Sequence, residues 1–337
     1  MLKRTAIALL VSLALGFAGL YLVLGEAVFR PGTYRAQNSS VPLVVLIVVA
    51  LLAKWFSPAV RVGLLCRGQG IPLPYRSAVV VHLVAMFVAA LAPQNTGFAP
   101  ATVAALSRLG VPVGRGVGVA VQIFVLDLIF FAWAVPLGVG YLVYSDALEL
   151  PPGAGALAFA TGCLAVVAAT ALSRRPQLVA GLIFAVARWR LVARFASRLR
   201  RVARDYYRSA RDFLKMPASY WLALHLATAA GWLGGFVLFW LLLKLYGVEA
   251  GLLATLATLS SITLVAHVVP TPGASGFMEA AVGLSIGANQ GGGAAAAVLV
   301  WRLASFYVVF LLGPPAGWLL YLSRPAAFPA RGRRKLL

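Results

Sequence analysis

The sequence predicts an all-α polytopic membrane protein of about six full spans and two re-entrant helical hairpins, arranged as an inverted repeat. Hydrophobic residues fill 62% of 337 positions and charged ones 11%, too little polarity for a soluble domain. Apolar runs long enough to cross ~30 Å of hydrocarbon recur along the whole chain. Two other apolar stretches are interrupted by proline, glycine and polar residues that cannot continue a helix.

Residues 5–24 follow Lys3 and Arg4 but lack a small-x-small cleavage site, so they read as an uncleaved first helix rather than a leader. Spans follow at roughly 41–56, 117–143, 154–172, 219–246 and 294–322. Together they make one transmembrane domain, 1–323, with a basic tail at 324–337. Segment 174–215 is set apart by 12 basic residues against Asp205 and Asp212. Within it Leu191, Phe195, Leu199, Val202, Tyr206 and Phe213 recur at helical spacing, which predicts an amphipathic helix on the inner surface.

The formal charge of +21 would suit nucleic acid, but its location argues against that partner. The arginines lie between spans, beside a membrane face that is usually anionic, where they act as topology determinants. The N-terminus, the 57–77 loop (Arg61, Arg67, Arg76), the 174–215 segment and the tail are therefore placed in the cytoplasm of a plasma-membrane protein. Loop 144–153, with Asp146 and Glu149 and no base, is placed outside, as is loop 25–40.

Counting crossings then constrains the interrupted stretches. With 57–77 inside and 144–153 outside, the single span 117–143 makes 77–116 begin and end inside. By the same count 250–293 begins and ends outside. Both become hairpins, one entering from each face; reading each as one kinked full span breaks the charge asymmetry. A shift of 179 positions lays Pro93 on Pro272, Thr96 on Ser275, Gly97 on Gly276 and Phe98 on Phe277. Two repeats of opposite orientation follow, a plan used by many secondary transporters.

The breaks are where chemistry is expected. Irregular backbone at membrane depth is tolerated only when buried in protein or lining a wet cavity. Leu91–Pro100 and Pro270–Gly276 each free N–H groups at the start of a half-helix, and those groups favour an anion. The candidate binding residues are Asn95, Thr96, Gly97, Thr271, Ser275, Gly276, Glu279 and Arg302, with Asp127 in mid-span. The polar side chains equally suit a plain role in satisfying broken backbone. Glu279 and Arg302 fit a structural ion pair, or a proton or amine site beside a phosphate ligand. His267 reads as a hydrogen-bonded helix-end histidine, and Trp133, Trp232, Trp240, Trp301 and Trp318 as packing or interface residues. Cys66, Cys163 and the three histidines show no metal spacing, and no phosphate loop or nucleophile elbow occurs; no cofactor, metal or enzymatic activity is expected.

These residues carry a resemblance. Pro270–Glu279, P-T-P-G-A-S-G-F-M-E, resembles the P-x-P-G-G-x-G-x-x-E signature of the lysylphosphatidylglycerol synthase transmembrane-region family. The stretch L-A-P-Q-N-T-G-F-A-P beginning at Leu91 is similar to that family's first motif, and Arg302 in W-R-L-A-S-F-Y resembles the arginine of its final helix. Ala274 replaces a glycine of the signature, Phe98 and Ala99 replace glycines of the first motif, and Gln122 stands near a usual Glu-Arg pair, while Asp127 matches the Asp that follows it.

The resemblance implies a flippase, moving an anionic or amino-modified phospholipid or a lipid-linked glycan between leaflets. Its partners would be membrane lipids, a second copy of the chain and envelope-lipid biosynthetic enzymes. The sequence runs only a short way past its last span, so no fused aminoacyl transferase is expected. An ion-coupled solute transporter shares the same architecture. A lipid-phosphate transferase would need more acids at depth than Asp127 and Glu279.

Overall fold

The computed structural model describes residues 31–145, 174–186, 195–286 and 291–323, with scattered positions in 10–25 and 160–171. Every named element among them is helical: α1 (Val41–Gly68), α2 (Tyr75–Leu91), α3 (Phe98–Arg108), α4 (Val113–Tyr144), α5 (Pro176–Val186), α6 (Ala196–Leu214), α7 (Ala218–Leu245), α8 (Leu252–Ala266), α9 (Phe277–Ile286), α10 (Gly291–Arg302) and α11 (Val309–Leu322). A short 3-10 turn, Pro31–Tyr34, precedes α1, and a π turn, Leu303–Tyr307, joins α10 to α11. Four helical runs are long and apolar enough to cross a bilayer: α1, α4, α7 and Gly292–Leu322. The expected spans 5–24 and 154–172 lie largely outside the described residues, and the 324–337 tail entirely so.

Helix α1 corrects the first expected boundary. It was expected to end near residue 56 and give way to a basic loop, yet it runs to Gly68. Pro58 inside it removes a donor but does not end it, because its ring lies over Gly231 of α7. Gly234 and Gly235 of α7 carry no Cβ either, so α1 and α7 approach closely along the stretch Ala50–Lys54. Arg61 is thus no loop charge; it is a helix residue only 6% exposed. Hydropathy and charge counting end the span at this stretch because they do not register the partner that makes a buried arginine tolerable.

Helix α6 is amphipathic, but only Tyr206 and Phe213 of the expected stripe are buried, and they face protein; Phe195 is exposed, Leu199 and Val202 are half-buried, and Leu191 lies outside the described residues. Ala203, Tyr206, Ala210 and Phe213 are buried against α4, α5 and the start of α7, while Arg198, Arg200, Arg201, Arg204, Arg208 and Arg211 are exposed. Gly114 of α4 admits the Val202 carbonyl where any Cβ would collide. Burial pushes the Tyr206 phenol up to about 12.

The two sequence breaks are real interruptions, and they meet. Chain between Leu91 and Phe98, and between Ala266 and Phe277, leaves helical geometry. Pro93 and Pro272 face each other as an isolated antiparallel bridge. Each proline is followed by two left-handed residues: Gln94 (φ 54°) and Asn95 (55°) in one break, Gly273 (59°) and Ala274 (52°) in the other. Each break then closes the same turn, with Thr96 N–H donating to the Pro93 carbonyl and Ser275 N–H to the Pro272 carbonyl, both at 3.1 Å. These are the positions that the 179-residue shift superposes. A left-handed non-glycine residue costs roughly 1–2 kcal/mol, so the conformation at Gln94, Asn95 and Ala274 is held by the bridge and the turns.

Candidate functional site

Two ion pairs, one buried and one part-buried, flank the meeting point of the breaks. In the first, Arg302 Nε donates to Glu279 Oε1 at 2.7 Å, with Glu279 1% exposed and Arg302 5%. Glu279 sits three residues into α9 and its Oε2 accepts the Gly276 N–H at 2.7 Å. The carboxylate thereby satisfies a free donor and favours the positive end of the helix. Gly276 adopts φ +87° and lies beside the Leu15 carbonyl of the N-terminal segment, so a side chain there is strained by the backbone and crowded by that carbonyl.

The π turn completes this cluster. Inserting one residue per turn re-aims the side chains after Arg302. Tyr307 donates to Glu279 Oε1 at 3.3 Å, and the Arg302 guanidinium lies over the Phe306 ring at 4.4 Å. The Ala304 carbonyl, inside the wide turn, accepts Trp55 Nε1 at 3.0 Å. Arg302 also donates to the Gly273 carbonyl (3.2 Å) and Ser275 Oγ (3.4 Å), tying α10 to the second break.

The second pair is Arg61 with Asp127, bidentate through both terminal nitrogens. Trp232 Nε1 donates to Asp127 at 2.8 Å, and Arg61 reaches Thr228 Oγ1. Three helices, α1, α4 and α7, are joined by this network. Asp127 was expected at depth; its arginine was not.

Two cavities lie between the pairs. The larger, about 370 Å³, is lined by Arg61, Asp127, Trp232 and Lys54 on one side and by Gln94, Asn95 and Thr96 of the first break on another. The smaller, about 140 Å³, reaches Arg302, Gly273 and Ser305. Lys54, Met86, Asn95, Trp232 and His267 line both, so the two are adjoining parts of one internal space. His267 Nδ1 lies 2.7 Å from the Thr263 carbonyl, as a helix-end histidine would. Among the described residues no group of three His, Cys, Asp or Glu side chains is placed to share a metal ion.

The expected site residues are thus divided. Glu279, Arg302, Ser275 and Gly276 form one packed cluster, with Thr271 Oγ1 donating to the Ser275 carbonyl at 3.0 Å. Asn95, Thr96 and Asp127 line the larger cavity. Gly97 lines neither and instead lets the Val88 carbonyl approach the start of α3. Sequence reasoning missed Lys54, Arg61 and Tyr307, and placed Trp232 among packing residues although it lines both cavities. The one available signal was Lys54 itself, a lysine following fourteen residues, Ser40 to Ala53, that carry no charge.

A UPF0104 membrane protein of Archaeoglobus fulgidus is 25% identical over 247 residues, covering 69% of this chain and 74% of the relative. The model of the family described as "Lysylphosphatidylglycerol synthase TM region" matches residues 5–313, which include both breaks, both ion pairs and the π turn. Nearly the full length being matched, the chain is an integral membrane protein and belongs to the lysylphosphatidylglycerol synthase transmembrane-region family.

Proposed function

We propose that this protein is a plasma-membrane lipid translocase that passes a phosphate-bearing headgroup between leaflets through the space where the two breaks meet. The observation that carries the reading is the rim of the larger cavity. Phe124 lines it, is 63% exposed, and sits 11 residues into α4, about 16 Å along a helix rising 1.5 Å per residue. In a spanning helix that places an exposed aromatic about a third of the way along, within the membrane, beside a largely apolar cavity that carries a few charged and polar groups. Such a rim suits a molecule whose headgroup enters the protein while its tails stay in the bilayer, rather than a solute arriving from water.

The paired breaks support an inverted repeat: Pro93 and Pro272 are bridged antiparallel, and equivalent residues share left-handed conformations and turn hydrogen bonds. On this reading α2–α3 and α8–α9 are the two re-entrant hairpins, and alternating access is a rocking of one repeat against the other. Both termini lie in the cytoplasm, where the exposed arginines of α6 face anionic lipid. The family description names lysylphosphatidylglycerol, in keeping with a lipid cargo. No group transfer is proposed, because Asp127 and Glu279 are each held by an arginine and neither is poised as a base.

The test is reconstitution in liposomes containing fluorescent phospholipids, with leaflet exchange followed by chemical quenching from outside. Wild-type protein should accelerate exchange, and Glu279→Gln and Arg302→Ala should each slow it at least about ten-fold at equal reconstitution. Exchange no faster than in empty liposomes would refute the translocase reading.

A further inference from the structure

Among the described residues that line the two cavities the charges do not balance, and the imbalance falls on one residue. Arg61 is matched by Asp127 and Arg302 by Glu279. Lys54 remains, and among the described residues no carboxylate lies within ion-pair distance of it. Its stem runs over Gly235, whose missing Cβ leaves the groove it occupies. Its ammonium stands 5.8 Å from the Trp55 and Trp232 ring centres, faces that attract a cation without neutralising it. Lys54 also lines both cavities, opposite Asn95 of the first break.

We infer that Lys54 is the anchoring charge for a phosphate monoester or diester, held between its ammonium and the side-chain amides of Asn95 and Gln94; the Thr96 hydroxyl already donates to the Pro93 carbonyl, and one Gln94 N–H to the Val268 carbonyl. Arg302, the residue the sequence suggests for that role, is already committed to Glu279, the Gly273 carbonyl and Ser275, and serves to fix the second break. A half-buried cation with no carboxylate in contact, whose nearby Asp127 is already paired with Arg61, is costly, and an incoming phosphate lowers that cost. A volume of about 370 Å³ admits a phosphate with a small polar headgroup. The net positive character of the cavity, with Asp127 already paired, selects against a headgroup whose charge is purely cationic. This assignment deepens the translocase reading and rests on it only for the lipid nature of the ligand.

The experiment separates the two. The purified full chain, in a phosphate-free maltoside detergent, is titrated calorimetrically with dioctanoyl phosphatidylglycerol, dioctanoylglycerol and inorganic phosphate. Wild type should bind the phosphatidylglycerol saturably and the phosphate-free diacylglycerol at least about ten-fold more weakly. Lys54→Met should lose at least about ten-fold in affinity for phosphatidylglycerol, and Lys54→Arg should stay within about three-fold of wild type. Inorganic phosphate that binds as tightly as the lipid keeps the anion site but assigns it to a free solute. Binding unchanged in Lys54→Met, or a diacylglycerol that binds as well as its phosphorylated counterpart, overturns the assignment. The latter comparison needs no variant and stands even if Lys54→Met fails to fold. Wild type that binds as described yet moves no lipid in liposomes would remove the translocase reading and leave the Lys54 site intact.

Discussion

At the scale of single residues, the buried charges are the costly features, and each is tolerable only through its partner. Breaking one buried pair leaves an uncompensated charge, at about 3–5 kcal/mol, whereas replacing both members with apolar residues is often neutral. Arg61→Met should lower the apparent unfolding temperature in detergent, since Asp127 would keep the Trp232 N–H but lose its arginine. The drop should be less than a fully buried pair would give, because the Asp127 side chain is 23% exposed. The double variant Arg61→Met/Asp127→Leu should recover most of that loss. A single variant as stable as wild type would show that the pair does not hold α1 to α4. Sequence reading located Asp127 and not its partner, because Arg61 and Asp127 are 66 positions apart and nothing local marks them as neighbours.

At the scale of elements, the N-terminal segment closes the Glu279 cluster. A Cβ on Gly16 would meet the Tyr307 hydroxyl and come within 3.0 Å of Glu279 Oε1, and Gly19 packs on the Gly276 carbonyl. Overpacking of this kind costs about 1–3 kcal/mol. Gly16→Ala should lower the unfolding temperature, and Tyr307→Phe introduced beside it should restore part of the loss by removing the obstructing hydroxyl. If Tyr307→Phe gives no relief, the N-terminal segment around Gly16 does not rest on the π turn. Helix α6 makes a parallel point: its periodicity announced an amphipathic helix, but periodicity does not say whether the apolar stripe meets lipid or protein. Burial of Ala203, Tyr206 and Phe213 against neighbouring helices decides that.

At the scale of the whole molecule, the meeting of the two breaks organises everything else. Residues paired in an antiparallel bridge have Cα atoms about 4.5–5.5 Å apart, within disulfide reach. In a background with Cys66→Ala and Cys163→Ala, the pair Pro93→Cys/Pro272→Cys should cross-link on mild oxidation, as read by intact mass. Oxidation should then arrest lipid exchange, and reduction should restore it, if the repeats part during transport. Failure to cross-link would mean that the breaks do not meet, and exchange that continues in the cross-linked protein would mean that they need not separate.

The sequence alone determined the membrane class and both interruptions, and offered the Glu279–Arg302 pair as one of two readings, because those follow from local facts: hydropathy, proline and glycine content, and the few charges at depth. The 179-residue correspondence was also legible, and its aligned prolines are the residues found face to face. Tertiary structure alone decided that α1 continues past residue 56, that Arg61 belongs to Asp127, and that Arg302 ties down the second break while Lys54 lines the cavity with no carboxylate in contact. The physical reason is common to all three. The free energy of a charge in a low-dielectric interior depends on what lies within a few ångströms of it, and that neighbourhood is assembled from segments far apart in the chain.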